Sequence, residues 1–308
     1  MKILVTGSNG LLGQKLVYLL RGKQEVQLIA TSRGENRIKE KAGYEYFPLD
    51  ITDKGQVKKA CDKYSPDVII NTAAMTNVDE CEVKKEECFK QNVTAVQNLV
   101  DCITQNETRN PKPETHLIHL STDFVFDGEN GPYKEEDKPN PLSYYAWSKN
   151  EAEKIIRSSN IQWAIARTII VYGVTDFMSR TNIVLWAKSA LEKGEPLKIV
   201  NDQWRMPTLA EDLAEGCWLI AKKGATGIFN LSGKDFMSII ELVYRVADFY
   251  GYDKSIITPV SSSTLNQAAK RPPKTGFVLD KSIRQLGYNP HSFEEGLKII
   301  DDQLKTNK

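Results

Sequence analysis

Two groups of residues in this 308-residue chain have types and spacing that can do chemistry. Tyr145 and Lys149 stand in Y-x-x-x-K order, which on a helix puts a phenol and an ammonium on one face about one turn apart. A phenol titrates near pH 10, and a neighbouring cation stabilises its anion, so such a pair can exchange a proton with a substrate oxygen. Tyr144, five positions from Lys149, is less well aligned. The pair follows Ser121-Thr122 by 23 residues, and placement after the end of a buried strand separates it from a chance surface pair. The second group is T-G-S-N-G-L-L-G, with Gly7, Gly10 and Gly13 spaced G-x-x-G-x-x-G. A tight turn, a close approach to pyrophosphate and a close helix–sheet contact each exclude a Cβ. The free N–H groups where a helix opens, here at Leu11 and Leu12, suit phosphate.

These residues need rigid supports, and the first 170 residues supply the pattern for them. Short β-branched or apolar runs at Lys2–Thr6, Val26–Thr31, Tyr44–Pro48, Asp67–Asn71, His116–Ser121 and Trp163–Thr168 alternate with segments of helical period. That alternation predicts an α/β fold, a Rossmann-type doubly wound parallel sheet built from βαβ units. Leu11, Leu12, Leu16, Val17, Leu19 and Leu20 form the apolar stripe of the first helix, with Gly22 as its stop. Beyond Tyr172-Gly173 the alternation loosens into a helix near 181–193, a strand at Leu197–Val200 and a helix near 209–222. G-I-F-N-L-S-G reads as a late strand that rejoins the first sheet, and the last 75 or so residues read as mostly helical with a Pro-rich loop at Arg271–Lys274. The expected division is a dinucleotide-binding domain over 1–170, rejoined by about 208–233, and a smaller α/β substrate domain from 171–207 and 234–308.

The end of the second strand decides between cofactors. An acidic side chain there would accept from a ribose 2′-OH and favour NAD; the chain has Ser32 and Arg33, and no carboxylate until Glu35. Arg33 suits a 2′-phosphate, so NADP is favoured, with NAD left open by Glu35. After the third strand, Asp50 is placed to accept from an adenine amino group while Ile51 packs on the ring.

Composition narrows the field. Forty-one Lys and Arg against 40 Asp and Glu leave a net charge of +1, no footprint for nucleic acid or an anionic membrane. No apolar run reaches the roughly 18 residues that span a bilayer, and M-K-I-L-V-T-G reads as a strand, not a signal peptide. Five cysteines without a CxxC pair suggest a reduced, cytoplasmic compartment and a packing role. His116 and His119, three apart on a strand, face opposite sides, so no metal site is expected.

G-x-x-G-x-x-G, N-T-A-A, S-T-D-F-V-F-D-G and Y-x-x-x-K, in that order and spacing, resemble the extended short-chain dehydrogenase/reductases. Within them, V-I-I-N-T-A-A-M-T-N-V-D, N-D-Q-W-R-M-P-T and the R-P loop resemble the dTDP-4-dehydrorhamnose reductases, from Met1 to about Leu279. The resemblance implies Tyr145 as general acid, Lys149 as its activator and ribose ligand, and Thr122 as the hydroxyl that orients the substrate carbonyl. It implies Ala73 and Ala74 along the cofactor and Thr76, Val78, Asp123 and Phe124 near the sugar, with Asn92 bracing its helix. A homodimer is favoured by the same resemblance. Two departures stand out: R-T-I-I-V-Y puts Ile170 where an aromatic meets the sugar, and Trp204-Arg205 replaces smaller residues. Arg205 and Arg271 are therefore expected to contact the diphosphate or sugar, with pairing to a nearby carboxylate as the alternative for Arg205. The implied activity is NADPH-dependent reduction of a 4-keto nucleotide-diphosphate sugar. Two alternatives remain open: an epimerase or dehydratase on the same site, and a non-catalytic subunit, since the chain also resembles the methionine adenosyltransferase beta subunit.

Overall fold

Strands rich in Val, Ile and Leu with no polar alternation require cover on both faces, and the chain supplies it. The structure is a computed structural model that describes residues 1–109, 115–177 and 181–306. Its first half runs β1 (Lys2–Thr6), α1 (Leu11–Leu20), β2 (Gln27–Ser32), β3 (Glu45–Pro48), α2 (Lys54–Tyr64), β4 (Val68–Asn71), α3 (Val78–Val83), α4 (Lys85–Phe89), α5 (Ala95–Arg109), β5 (His116–Thr122), α6 (Tyr144–Arg157) and β6 (Trp163–Thr168). It continues with β7 (Val171–Tyr172), α7 (Ile183–Glu192), β8 (Leu197–Val200), β9 (Trp204–Arg205), β10 (Thr208–Leu209), α8 (Ala210–Lys223), β11 (Gly227–Asn230), β12 (Met237–Ser238), α9 (Ile239–Tyr250), β13 (Ile257–Val260) and α10 (Phe293–Thr306).

Among the described residues, seven strands form one sheet in the order β11-β6-β5-β4-β1-β2-β3, every pairing parallel. From β1 the chain adds β2 and β3 on one side, then crosses to build β4, β5 and β6 on the other. The carboxyl ends of β1 and β4, where the direction reverses, leave the crevice in which such sheets bind ligands. Leu16, Val17 and Leu20 of α1 meet Leu213, Cys217 and Ile220 of α8 over one face. Val57 and Ala60 of α2, Val96 and Leu99 of α5, and Ala152 and Ile156 of α6 cover the other. A separate core joins α7, α9 and α10 through Val184, Leu191, Leu242, Val246, Leu297 and Ile300.

The G-I-F-N segment does rejoin the sheet, Gly227 to Asn230 pairing with Ala164 to Arg167. The expectation of a mostly helical final segment needs correction. Gly251, with φ +71°, ends α9; β13 then pairs with β8; and Pro259, Pro272, Pro273 and Pro290 break the region up to α10. No helix among the described residues is long and apolar enough to cross a membrane.

Candidate active site

The glycine loop shows why each of its three positions lacks a side chain. Gly7 has φ +68°, and a Cβ there would sit 2.8 Å from Ala73 N and from Thr72 Oγ1 after β4. A Cβ on Gly13 would come within 2.2 Å of Gly7 O, so α1 approaches β1 only because that residue is glycine. Gly10 caps α1 without a side-chain hydrogen bond, which leaves the first N–H groups of a ten-residue helix for an anion. Asn9 ties this loop to the one after β2, its Nδ2 donating to Glu35 O and its Oδ1 accepting from Arg37 N, both at 2.9 Å.

A cavity of about 190 Å³ opens at this crevice. It brings together Gly7, Gly10, Ser32, Arg33, Asp50, Ile51, Ala73 and Ala74, all of them expected from the sequence, and adds Leu49, Thr52, Thr72 and Gln91. Thr72 lay within the N-T-A-A motif; Gln91 carried no signal, because it reaches the cavity from the turn of π-helix at Lys90–Thr94 that the sequence does not announce. Arg33 is exposed at the rim, in a loop held by the Tyr46 hydroxyl, which donates to Gly34 O (2.8 Å) and Ser32 O (3.2 Å). Asp50 Oδ1 accepts from Thr52 N at 2.9 Å. A larger cavity of about 530 Å³, lined by Lys15, Tyr18, Asp176 and Glu211 among others, shares no residue with this one.

The hydroxyl chemistry sits at the end of β5. Ser143 caps α6, accepting from Ala146 N at 3.3 Å, and so starts the helix at Tyr144 and turns Tyr145 inward. Tyr145 lies in a small apolar cluster with Met75, Cys81 and Cys88, edge-on to Phe124 at 6.2 Å. Its hydroxyl is hydrogen-bonded to that of Thr122. Tyr144, by contrast, faces Trp147 at 5.0 Å on the outer side of the helix. The Thr122 hydroxyl also donates to Asp123 Oδ1 at 3.1 Å.

Lys149 is brought to the same strand end, but its ammonium turns to β5: it donates to Leu120 O at 2.6 Å and stands 3.1 Å from His119 Nε2. The expected lowering of the Tyr145 phenol is therefore corrected. Burial is the largest influence and pushes it up, the Thr122 hydrogen bond opposes this, and Asp123, Cys81 and Cys88 add to the rise. Burial also brings Lys149 down to about 8, against the opposing pull of Glu153 and Cys88. A phenol held in its protonated form is a proton donor at neutral pH, which is what a general acid needs.

The residues expected at the sugar separate into two sets. Thr76 is exposed, and Val78 and Phe124 are half-buried around Tyr145. Asp123 and Arg205 are buried and face each other at 3.7 Å. In place of the expected ligand contact, the Arg205 guanidinium donates to Pro272 O (2.7 Å), Pro273 O (3.2 Å) and Trp204 O (2.7 Å), while Thr275 donates to Asp123 Oδ2. Arg271 likewise gives both terminal nitrogens to Asp79 of α3, at 3.1 and 2.7 Å. These arginines fasten the R-P-P-K loop over the strand end. Ile170 has φ +33°, a left-handed conformation that costs a β-branched residue about 1–3 kcal/mol, at the junction of β6 and β7. Asn92 is a brace: its Oδ1 accepts from Met75 N (2.8 Å) and its Nδ2 donates to Met75 O and to Ser148 Oγ, each at 3.0 Å.

Comparison with known proteins follows from this geometry. The family model described as RmlD substrate binding domain matches residues 1–306. The chain is 29% identical over 311 residues to a dTDP-4-dehydrorhamnose reductase of Aggregatibacter actinomycetemcomitans, covering 97% of this chain and 98% of that one. It is also 29% identical over 276 residues to methionine adenosyltransferase 2 subunit beta of Danio rerio, covering 88% and 80%. Among solved structures it is similar to dTDP-4-dehydrorhamnose reductase from Bacillus anthracis str. Ames in complex with NADP, with a TM-score of 0.82, 25% identity and coverage of 98% and 99%.

Proposed function

The chain belongs to the family described as RmlD substrate binding domain, and on that premise we propose that it is an NADPH-dependent reductase of a 4-keto nucleotide-diphosphate sugar, acting in carbohydrate biosynthesis. The observation that carries this reading is the hydrogen bond between the Tyr145 and Thr122 hydroxyls, at the strand end beside a glycine-loop cavity. Two hydroxyls at that point offer a ketone oxygen two donors. The uncapped N-terminus of α1 and the clash-limited glycines fit a pyrophosphate, with Leu11 and Leu12 presenting N–H groups. Asp50 and Ile51 fit the adenine, Arg33 a 2′-phosphate, and Ala73 and Ala74 the run of the cofactor past β4. NADPH, when bound, supplies the hydride. Thr122 then fixes the carbonyl oxygen, and Tyr145 gives its proton to that oxygen as negative charge develops on it.

A panel of keto-sugar nucleotides, dTDP-4-dehydrorhamnose first, should consume NADPH stoichiometrically, followed by loss of its absorbance. The likeness to an adenosyltransferase beta subunit favours a second reading, a cofactor-binding subunit without turnover. Tight NADPH binding with no consumption on any member of the panel would support it, and NAD retained but unconsumed would indicate an epimerase.

Arg33 tests the cofactor assignment. NADPH is expected to bind more tightly than NADH, and Arg33→Ala should erode the preference by about 1–3 kcal/mol through loss of a charge-assisted phosphate contact. Titration of both nucleotides against both proteins checks this; equal affinities in the parent would remove the assignment.

A further inference from the structure

Lys149 is fully buried, and an ammonium has three donors and no acceptor. One donor goes to Leu120 O at 2.6 Å; a second faces His119 Nε2 at 3.1 Å. His119 is itself buried on β5, and both burial and the Lys149 charge hold its ring well below the usual imidazole range. A neutral ring facing an ammonium must present a lone pair, so its proton belongs on Nδ1, 3.0 Å from the Asn71 amide. Asn71 is held in turn by Thr6 Oγ1 at 2.6 Å. With the proton on Nδ1, Asn71 turns its amide oxygen to the ring and its NH2 to Thr6, and the chain Thr6–Asn71–His119–Lys149 links β1, β4, β5 and α6.

We propose that His119 is a positioning residue for the reaction: its neutral ring, by accepting from Nζ, keeps the Lys149 ammonium charged and directed along β5, where its third donor is left for the cofactor ribose. The proposal rests on the reductase reading for what Lys149 serves, but its core is a statement about two side chains. The other groups that face Lys149 are Glu153, one turn on and paired with Arg167 of β6, and Cys88 of α4, whose thiol is brought down to about 7 chiefly by its hydrogen bond with Cys81. Neither replaces the ring. Both Glu153 carboxylate oxygens are engaged by Arg167, and Cys88 is hydrogen-bonded to Ser148 and Asn92.

The sign of the effect follows from Lys149 titrating as an acid. Its charged form predominates below about 8 and is lost as the pH rises through that value. Removing an acceptor that bonds the charged form shifts the loss to lower pH. In His119→Leu the pH at which NADPH affinity falls should therefore move down by about one unit, a tenfold change in the Lys149 proton equilibrium. His119→Gln, which restores a carbonyl acceptor, should recover most of the shift. Cys88 is present in all three proteins, so the difference between them belongs to His119. NADPH binding is read without a sugar substrate, so absence of turnover would count against the reductase reading and leave this test intact. Nitrogen-15 NMR of the histidine-labelled parent needs no variant: His119 should show a protonated Nδ1 and a bare Nε2, with no titration between about pH 5.5 and 9. An Nε2-protonated ring, or a binding profile that does not move in His119→Leu, would overturn the proposal.

Discussion

Tyr145→Phe should lower turnover on a keto-sugar nucleotide by about 10²-fold or more, since positioned acid–base groups commonly contribute 10² to 10⁴. The substitution removes one hydroxyl and keeps a ring that packs on Met75, Cys81 and Cys88 and meets Phe124 edge-on, so folding and NADPH affinity should hardly change. The loss should fall on kcat, because the proton moves only as the alkoxide forms. Lys149→Met should lower turnover and cofactor affinity together. Tyr144→Phe is the internal control: its ring faces Trp147, away from Thr122, and turnover should stay near parental. Steady-state NADPH oxidation by the four proteins separates these cases, and an active Tyr145→Phe beside an inactive Tyr144→Phe would place the acid one residue earlier.

Glu153→Ala should cost about 3–5 kcal/mol of stability, since removing one partner of a buried ion pair leaves the other charge uncompensated. Glu153 and Arg167 are each about 1% exposed. The guanidinium grips both carboxylate oxygens, at 3.0 and 2.7 Å, and donates to Glu135 O at 3.2 Å, while Ser121 donates to Glu153 at 2.6 Å. The pair therefore fastens α6, with Tyr145 and Lys149 on it, to β5 and β6. Urea unfolding of Glu153→Ala and of the double variant Glu153→Leu/Arg167→Met measures the effect. The double variant should recover much of the loss, because neither charge is then stranded. A loss under about 1 kcal/mol in the single variant would mean that water or another donor replaces the pair.

What could be read from the residues and what could not differ by the range of the cause. β1 and β6 have the bounds that their apolar runs suggest, and the other strands of the first half differ by a residue at an end, because burial on both faces writes itself into consecutive residues. The glycines were legible for a similar reason: each answers to a constraint within a few residues or at an adjacent strand. Arg205 and Arg271 were not. An arginine in a Pro-containing loop looks the same whether it binds a phosphate or the carbonyl of a residue 67 positions away, and nothing near it in sequence names Asp123 or Asp79 as partner. His119 reads as one more strand residue until the helix carrying Lys149 is laid across it. The segment after Gly251 looked helical by composition, but its register depends on β8, some 60 residues earlier.

The late arrival of β11 has a consequence for how this protein is made. The strand that covers the outer side of β6 comes from Gly227–Asn230, about 60 residues after β6 itself. On the ribosome, β6 emerges while its neighbour on that flank is still unsynthesised, and a bare strand edge is a template for pairing with other chains. The face of α1 that packs on α8 waits equally long. A released fragment ending near residue 170 should consequently be prone to aggregate, and the nascent nucleotide-binding half depends on chain still to come before its sheet can close.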